Sequence, residues 1–496
     1  MSNLSLITPQ LWPSVARATL DEKQINIHHL KHKFHKVYFP WDTEYNKKIT
    51  YFSLTIQQRP LMVIVPNSTR ELEKLLDFIK DYNLSVRFMN GRHSSQILDP
   101  EVLVDLIEFN KIKIDSNGNH IIVGGGSTQG QANDVLFNND KTNYSHFGHP
   151  AHPHNDIIDA FAGGSASTVG CGGICTAGGI GILARSFGLT IDSIISYTIT
   201  LPPTENIKSQ TIVADKNNHD KLFWALRGGG ASNFGIISNI KLDVMKVPKL
   251  VKFNITWPFI NAVKILDLWK KTSIVRPSNY DEEISISANS SESDISLGGY
   301  YLFQDTDTLE TATLNINNQF AQLIADFNGI LTITEIEYNV LYKQLVANRT
   351  YYNFSYIQVF FLNHFSSRKV IELINSNKPD DGFQAISFQL LGGKIRDHAE
   401  NSTAFFPRKA NFFMDVTTLW NRGQSSQQRN LWEYTAVKNM LNDKNNKTMY
   451  VGFPIPFTDL VIQESNKIYY GKNYKKLQKI KANIDPLGLL TPCGTI

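Results

Sequence analysis

The residues with the clearest chemical use lie in four glycine-rich stretches: Asn90-Gly91-Arg92-His93-Ser94, Gly124-Gly125-Gly126, the run from Gly163 to Gly181, and Gly228-Gly229-Gly230 through Gly235. Glycine at this density costs folding entropy, so such segments are expected where backbone takes positive φ or lies close against another group. Their bare N–H groups suit anions, phosphate oxygens above all. One such loop reads as a tight turn between strands. Four of them favour a large phosphate-bearing ligand held by several loops. The G-x-G-x-x-G fingerprint is missing from the strand-to-helix context it requires, and no G-x-x-x-x-G-K-[ST] loop occurs. Cys171 and Cys175 resemble half a zinc site, but no second Cys/His pair is suitably spaced, so packing is favoured. His149, His152 and His154 sit among prolines in a stiff segment, where metal binding is again the weaker reading.

The elements around these stretches follow from periodicity. Leu61 to Val65 is a strand-sized apolar run; Ser68 with Glu71 forms a capping box, and Leu72, Leu75, Leu76 and Ile79 recur at helical spacing. That predicts a helix from Thr69 to about Tyr82, then a strand from Leu84 to Met89 leading into Asn90. Further strands are expected at 102–107, 121–123, 195–201 and 235–244, with helices at 129–137 and 222–226. From about Pro248 the texture changes to helices at 259–269 and 309–327 and antiparallel strands at 284–287, 295–303 and 356–361. Residues 1 to about 55 give no clear pattern. The 496 residues include 42% hydrophobic and 19% charged residues, the composition of a packed globular chain. Net charge is only +4, with no basic block, so no nucleic-acid partner is indicated. Three cysteines cannot build a disulfide framework, no run is long enough to span a bilayer, and the N-terminus lacks a signal-peptide pattern. A cytoplasmic protein is the expectation.

Val86-Arg87-Phe88-Met89-Asn90-Gly91-Arg92-His93-Ser94 resembles the R-x-x-G-G-H-S loop of the berberine-bridge-enzyme-like oxidases, flavoproteins of the vanillyl-alcohol oxidase type. Thr168-Val169-Gly170-Cys171-Gly172-Gly173, continuing through Gly178-Gly179-Ile180-Gly181 to Asp192, resembles their T-V-G-x-G-G segment. Leu222 to Ile236 is similar to L-F-W-A-x-R-G-G-G-x-x-N-F-G, and Tyr469-Tyr470-Gly471-Lys472-Asn473-Tyr474 with Asp485-Pro486 to their C-terminal element. The resemblance implies FAD, bonded through its 8α carbon to His93. It implies contacts from Asn90, Gly91, Arg92, Ser94, Thr168, Gly170, Gly173, Gly178, Gly179, Gly235, Ile236, Tyr470 and Asn473, and an anion-stabilising role for a helix following Gly179. It also places residues just upstream of the Thr168 loop near the flavin, so one histidine of the 149–154 cluster is expected on the substrate side.

Departures from the family pattern carry information too. Where many members hold a second tethering Cys, this chain has Ala166, so a single tether is expected. Ile174 replaces an imidazole, and Arg92 stands where a Gly precedes the histidine, which could add charge near the pyrophosphate or crowd the loop. The family's catalytic-base Tyr falls on Phe453, in Tyr450-Val451-Gly452-Phe453. Tyr450 is then the remaining candidate for a catalytic role. The expected fold is α+β: a two-lobed PCMH-type FAD-binding domain at 30–240, a substrate domain with an antiparallel sheet covered by helices at 245–445, and a 446–496 segment returning to the first. The implied reaction takes a hydride from an alcohol, hemiacetal or amine carbon of a small molecule to flavin N5, with dioxygen as acceptor and no metal. Two alternatives stay open: a dehydrogenase or monooxygenase-like enzyme of the same fold, and a flavin-binding protein without turnover.

Overall fold

A computed structural model describes residues 8–51, 53, 59–93, 100–138, 157–164, 166–230, 232–289, 292–347, 354–376, 382–421, 427–442, 448–454, 467–490 and 496. Ser94 and the three histidines at 149, 152 and 154 lie outside these residues.

Among the described residues three larger sheets organise the chain, beside a two-stranded ribbon of Ile158–Ala160 with Met245–Val247. The first has four strands in the spatial order Lys36–Tyr38, Met62–Val65, Val102–Asp105, Val86–Met89. The last three run parallel, and Val102–Asp105 inserts between the two strands joined by the helix Thr69–Asp81. That helix forms as its sequence predicts: Leu72, Leu75, Leu76 and Ile79 are fully buried, and the Ser68 hydroxyl accepts from the Glu71 N–H. The Glu71 carboxylate reaches the Asn67 N–H, one residue earlier than a reciprocal capping box would have it. The N-terminal stretch without clear pattern contains the helices Trp12–Glu22 and Ile27–Lys33. Trp12, Ala16 and Leu20 lie one above another on the buried face of the first.

The second sheet is antiparallel, with strands Ile112–Ile114, His120–Gly124, Ile236–Asp243, Ile194–Leu201 and Gln210–Asp215. The third has eight strands, all antiparallel: Ile330–Ile336, Leu250–Trp257, Ser293–Leu302, Tyr280–Ala288, Phe383–Leu390, Phe412–Trp420, Phe354–Leu362 and Thr448–Met449. Helices Ala262–Ser273, Leu309–Phe327, Ser367–Asn375 and Gln427–Asn442 cover one face, with Trp269, Phe320, Ile374 and Trp432 buried in the shared core. Along Phe412–Trp420 the alternation is strict. Even-numbered residues face the helices and are buried, while Phe413, Asp415 and Thr417 face the other way.

Polar side chains lock the halves together. Arg185 donates to the carbonyls of Tyr280 (2.6 Å) and Arg276 (2.7 Å), and its backbone N–H to Asp281 (2.8 Å). Arg408 makes a bidentate pair with Asp192 at 3.1 and 2.6 Å. The helix Tyr474–Ile484 returns to the first half. There Lys481 Nζ donates to the Asn233 and Leu490 carbonyls and to Asp485, each at 2.7 Å, and Lys476 lies over the Trp224 ring.

Candidate active site

Strand Val86–Met89 ends in a four-residue turn pinned on two sides. Asn90 Nδ2 donates to the Gly125 carbonyl (2.5 Å) and the Ser127 carbonyl (3.2 Å). Gly91 is pressed against the backbone of residues 168–170, closer than any side chain would permit: a Cβ there would fall 2.2 Å from Gly170 N. His93 Nε2 lies 2.7 Å from Thr168 Oγ1, so the two segments recognised by sequence pattern meet at a hydrogen bond. Arg92 directs its guanidinium to Asp105 and to two backbone carbonyls.

The glycine run from 163 to 181 folds around the helix Cys171–Ala177, whose thiols are fully buried. Burial pushes both thiols up, so they stay protonated, and among the described residues no group of three or more potential metal ligands occurs. The helix lies before Gly178, whereas only the single turn Ala184–Phe187 follows Gly179, so the longer helix precedes the position expected for it. Gly179, with φ of +72°, packs onto Thr190 and donates its N–H to Tyr450 Oη at 2.9 Å.

These segments enclose a cavity of about 390 Å³. Of the residues expected at the cofactor, Asn90, Gly91, Arg92, His93, Gly170, Gly173, Gly235 and Ile236 line it, as do Ala166 and Gly230. Thr168 reaches it through His93. Gly178, Gly179, Tyr470 and Asn473 are not in the lining; Tyr470 Oη braces a glycine loop from outside by donating to the Gly229 carbonyl, whereas Asn473 Nδ2 donates to the carbonyl of Ala404, outside those loops.

The opposite wall comes from the eight-stranded sheet and was not found by motif. Glu283, Gln389, Phe413 and Asp415 project into the cavity, beside Tyr450 and Phe453. The detectable signal was a lone acid at an alternating position of an otherwise apolar strand, Phe-Phe-Met-Asp-Val. Asp415 accepts a hydrogen bond from the Thr417 hydroxyl, yet burial raises its pKa to about 6. Glu283 is exposed within the cavity it lines, with protein atoms crowding its carboxyl. Burial first, then the charge of Asp415, raises it to about 7 against the lowering effect of Ser387. No cationic side chain among the described residues offsets either acid. Burial also lifts Tyr450 to about 12. Phe453 presents only a ring.

The end of the cavity nearest His93 suits a flavin dinucleotide. Its walls are largely glycine backbone, Gly173 faces open space, and Gln129 Oε1 has no partner among the described residues although Gln129 Nε2 is bonded to the Ala166 carbonyl. The family described as "FAD binding domain" matches residues 60–149, and that described as "Berberine and berberine like" matches residues 455–491. The chain is an FAD-linked oxidoreductase similar to the berberine-bridge-like enzymes. It is 22% identical to the uncharacterized FAD-linked oxidoreductase YgaK of Bacillus subtilis, over 90% of this chain and 93% of that one. Solved structures share its fold, two of them oligosaccharide oxidases. Chitooligosaccharide oxidase superposes with a TM-score of 0.77 at 18% identity, covering 97% of this chain and 99% of its own. Glucooligosaccharide oxidase of Acremonium strictum, described with 6-S-cysteinyl, 8α-N1-histidyl FAD, does so with a TM-score of 0.77 at 18% identity, covering 93% and 96%. The mixed α+β architecture seen here matches that of PCMH-type FAD oxidase structures. Among the described residues no helix is long and apolar enough to cross a membrane.

Proposed function

We propose that residues 30–240 and the tail bind FAD, that His93 tethers it covalently as the single attachment point, and that residues 245–445 present a small-molecule substrate to it. Ala166 lines the cavity without a thiol, which supports one tether rather than two. FAD held there would supply a two-electron acceptor, with dioxygen as the final acceptor. The chain's own residues do the rest. The glycine loops offer backbone N–H groups to the phosphates. Asp415 takes the O–H or N–H proton as the neighbouring C–H bond of an alcohol, hemiacetal or amine is broken, while Gln389 and Glu283 hydrogen-bond the substrate's polar atoms. Tyr450 contributes through its ring; its hydroxyl, tied to Gly179, keeps its own proton near neutral pH.

The observation that carries this reading is one continuous cavity with His93 and the glycine loops at one end and two uncompensated carboxyls at the other. A cavity walled only by Phe453 and Tyr450 would favour a binder without turnover; Asp415 supplies the proton acceptor that Phe453 lacks. The test has two parts. Pigment should remain with the polypeptide after acid precipitation and be released by His93→Ala. Anaerobic mixing with alcohols, sugars and amines should bleach the flavin for at least one class, and comparison of oxygen with a dye acceptor separates oxidase from dehydrogenase. Failure of every class to bleach it would leave a flavin-binding protein.

A further inference from the structure

Arg92 adopts φ of +61°, in the left-handed region that residues with a Cβ seldom occupy. Something must hold it there, and the side chain shows what. Nη2 donates to Asp105 Oδ2 at 3.1 Å, and Nη1 donates to the carbonyls of Lys47 (3.1 Å) and Thr50 (3.2 Å). The Asp105 side chain is only 2% exposed, and it also pairs with Lys48 at 3.3 Å and accepts from the Ile107 N–H. Strand pairing sets Asp105 beside Met89, the residue from which the turn departs. Arg92 therefore ties the turn to the helix Tyr45–Lys48 on one side, while Asn90 ties it to the Gly125 and Ser127 carbonyls on the other. His93 is the next residue along the backbone. Three of the guanidinium's donor contacts are spent on this scaffold, the Asp105 carboxylate and two backbone carbonyls, rather than on a ligand phosphate.

We propose that Arg92 is a positioning residue for His93, its clamp on Asp105 and the Lys47 and Thr50 carbonyls fixing the left-handed turn that presents the imidazole for flavin attachment. This rests on His93 being the attachment point. In that attachment an N–H of the imidazole and a C–H of the 8-methyl group are replaced by one N–C bond; the two hydrogens reduce the flavin, and dioxygen removes them as hydrogen peroxide.

The test compares wild type, Arg92→Ala, Arg92→Gly and Arg92→Lys, each prepared without flavin and then given FAD in air. Two quantities are read: the rate at which acid-stable pigment appears, and amide hydrogen exchange of the turn before FAD is added. Loss of charge-assisted bonds to a buried acid should slow attachment by roughly tenfold or more in both Ala and Gly variants and speed exchange in the turn, with Lys intermediate. Gly removes the backbone strain along with the clamp, so it decides the matter: attachment by Arg92→Gly at the wild-type rate, with wild-type exchange, overturns the clamp while leaving His93 in place. Should Ala or Gly fail to fold, Arg92→Lys, which keeps the charge but not the fork, must still slow attachment, and an unchanged rate overturns the proposal. Wild-type protein that never holds acid-stable pigment overturns both it and the reading of His93.

Discussion

Replacing Gly91 by alanine probes the cofactor end of the cavity with a perturbation whose size can be worked from the coordinates. The new Cβ would meet Gly170 N at 2.2 Å and the Thr168 carbonyl oxygen at 2.5 Å. Ordinary contact begins at 3.4 Å, and both obstacles are backbone, so no side-chain rotation relieves the clash. The turn and the Thr168–Gly170 segment must part by roughly 1 Å, at an overpacking cost of about 1–3 kcal/mol. The more telling effect is geometric. His93 Nε2 and Thr168 Oγ1 are 2.7 Å apart, and a displacement of that size takes them beyond hydrogen-bonding reach. Gly91→Ala should therefore fold, melt a few degrees lower, and retain acid-stable flavin at a tenth of the wild-type yield or less, on the order of the losses that about 1 Å of misplacement causes at reacting groups. Flavin fluorescence of the washed precipitate measures it. A variant that melts normally and carries wild-type amounts of bound pigment would show that the contact between these loops does not set the attachment geometry.

Three other outcomes follow from named groups. Asp415, raised to about 6, can accept a proton only when ionised, so flavin reduction should climb as pH rises through about 6. Asp415→Asn should erase that limb and slow reduction about a hundredfold to ten-thousandfold in rapid-mixing experiments. Glu433 is fully buried, with neither oxygen bonded among the described residues, and burial holds its pKa well above the ordinary range. The folded chain thus keeps a proton that the unfolded chain releases above about pH 4.3, and this part of the stability is lost as pH rises. In thermal melts Glu433→Gln should gain on wild type steadily from about pH 5 to about pH 8; a constant difference would contradict the buried acid. Lys481→Met leaves Asp485, 3% exposed, without its cation and should cost about 3–5 kcal/mol in denaturant unfolding.

Legibility differed between the two walls of the cavity for a physical reason. Backbone-binding loops must be glycine at fixed spacings, because a Cβ at positions such as Gly91 or Gly179 collides with neighbouring chain. That constraint writes a pattern into the sequence. The substrate wall has no such requirement. Glu283, Gln389 and Asp415 are brought together by pairing of Tyr280–Ala288, Phe383–Leu390 and Phe412–Trp420, strands far apart in sequence, and nothing in any one strand names its neighbours. The helix Thr69–Asp81 and the helix Leu309–Phe327 were readable because their buried faces recur locally. The N-terminal helices were harder: Trp12, Ala16 and Leu20 make a narrow stripe, and the second helix is short and rich in Lys and His. Arg92 is a third case. Sequence shows an unexpected side chain before His93, and only the fold shows that it turns to Asp105.

The strand Phe412–Trp420 has a consequence for how such an enzyme changes its diet. Phe413 and Asp415 belong to the reaction vessel, and the even-numbered residues between and beyond them to the foundations beneath it. Selection can therefore exchange the occupant of position 413, altering what is welcomed beside Asp415, without disturbing Met414, Val416 or the helices they rest on. An insertion or deletion of one residue would instead swap the two sets, burying a carboxylate under Trp432 and offering methionine to the reactant. Divergence at this wall should thus proceed by replacement in place, with strand length held fixed.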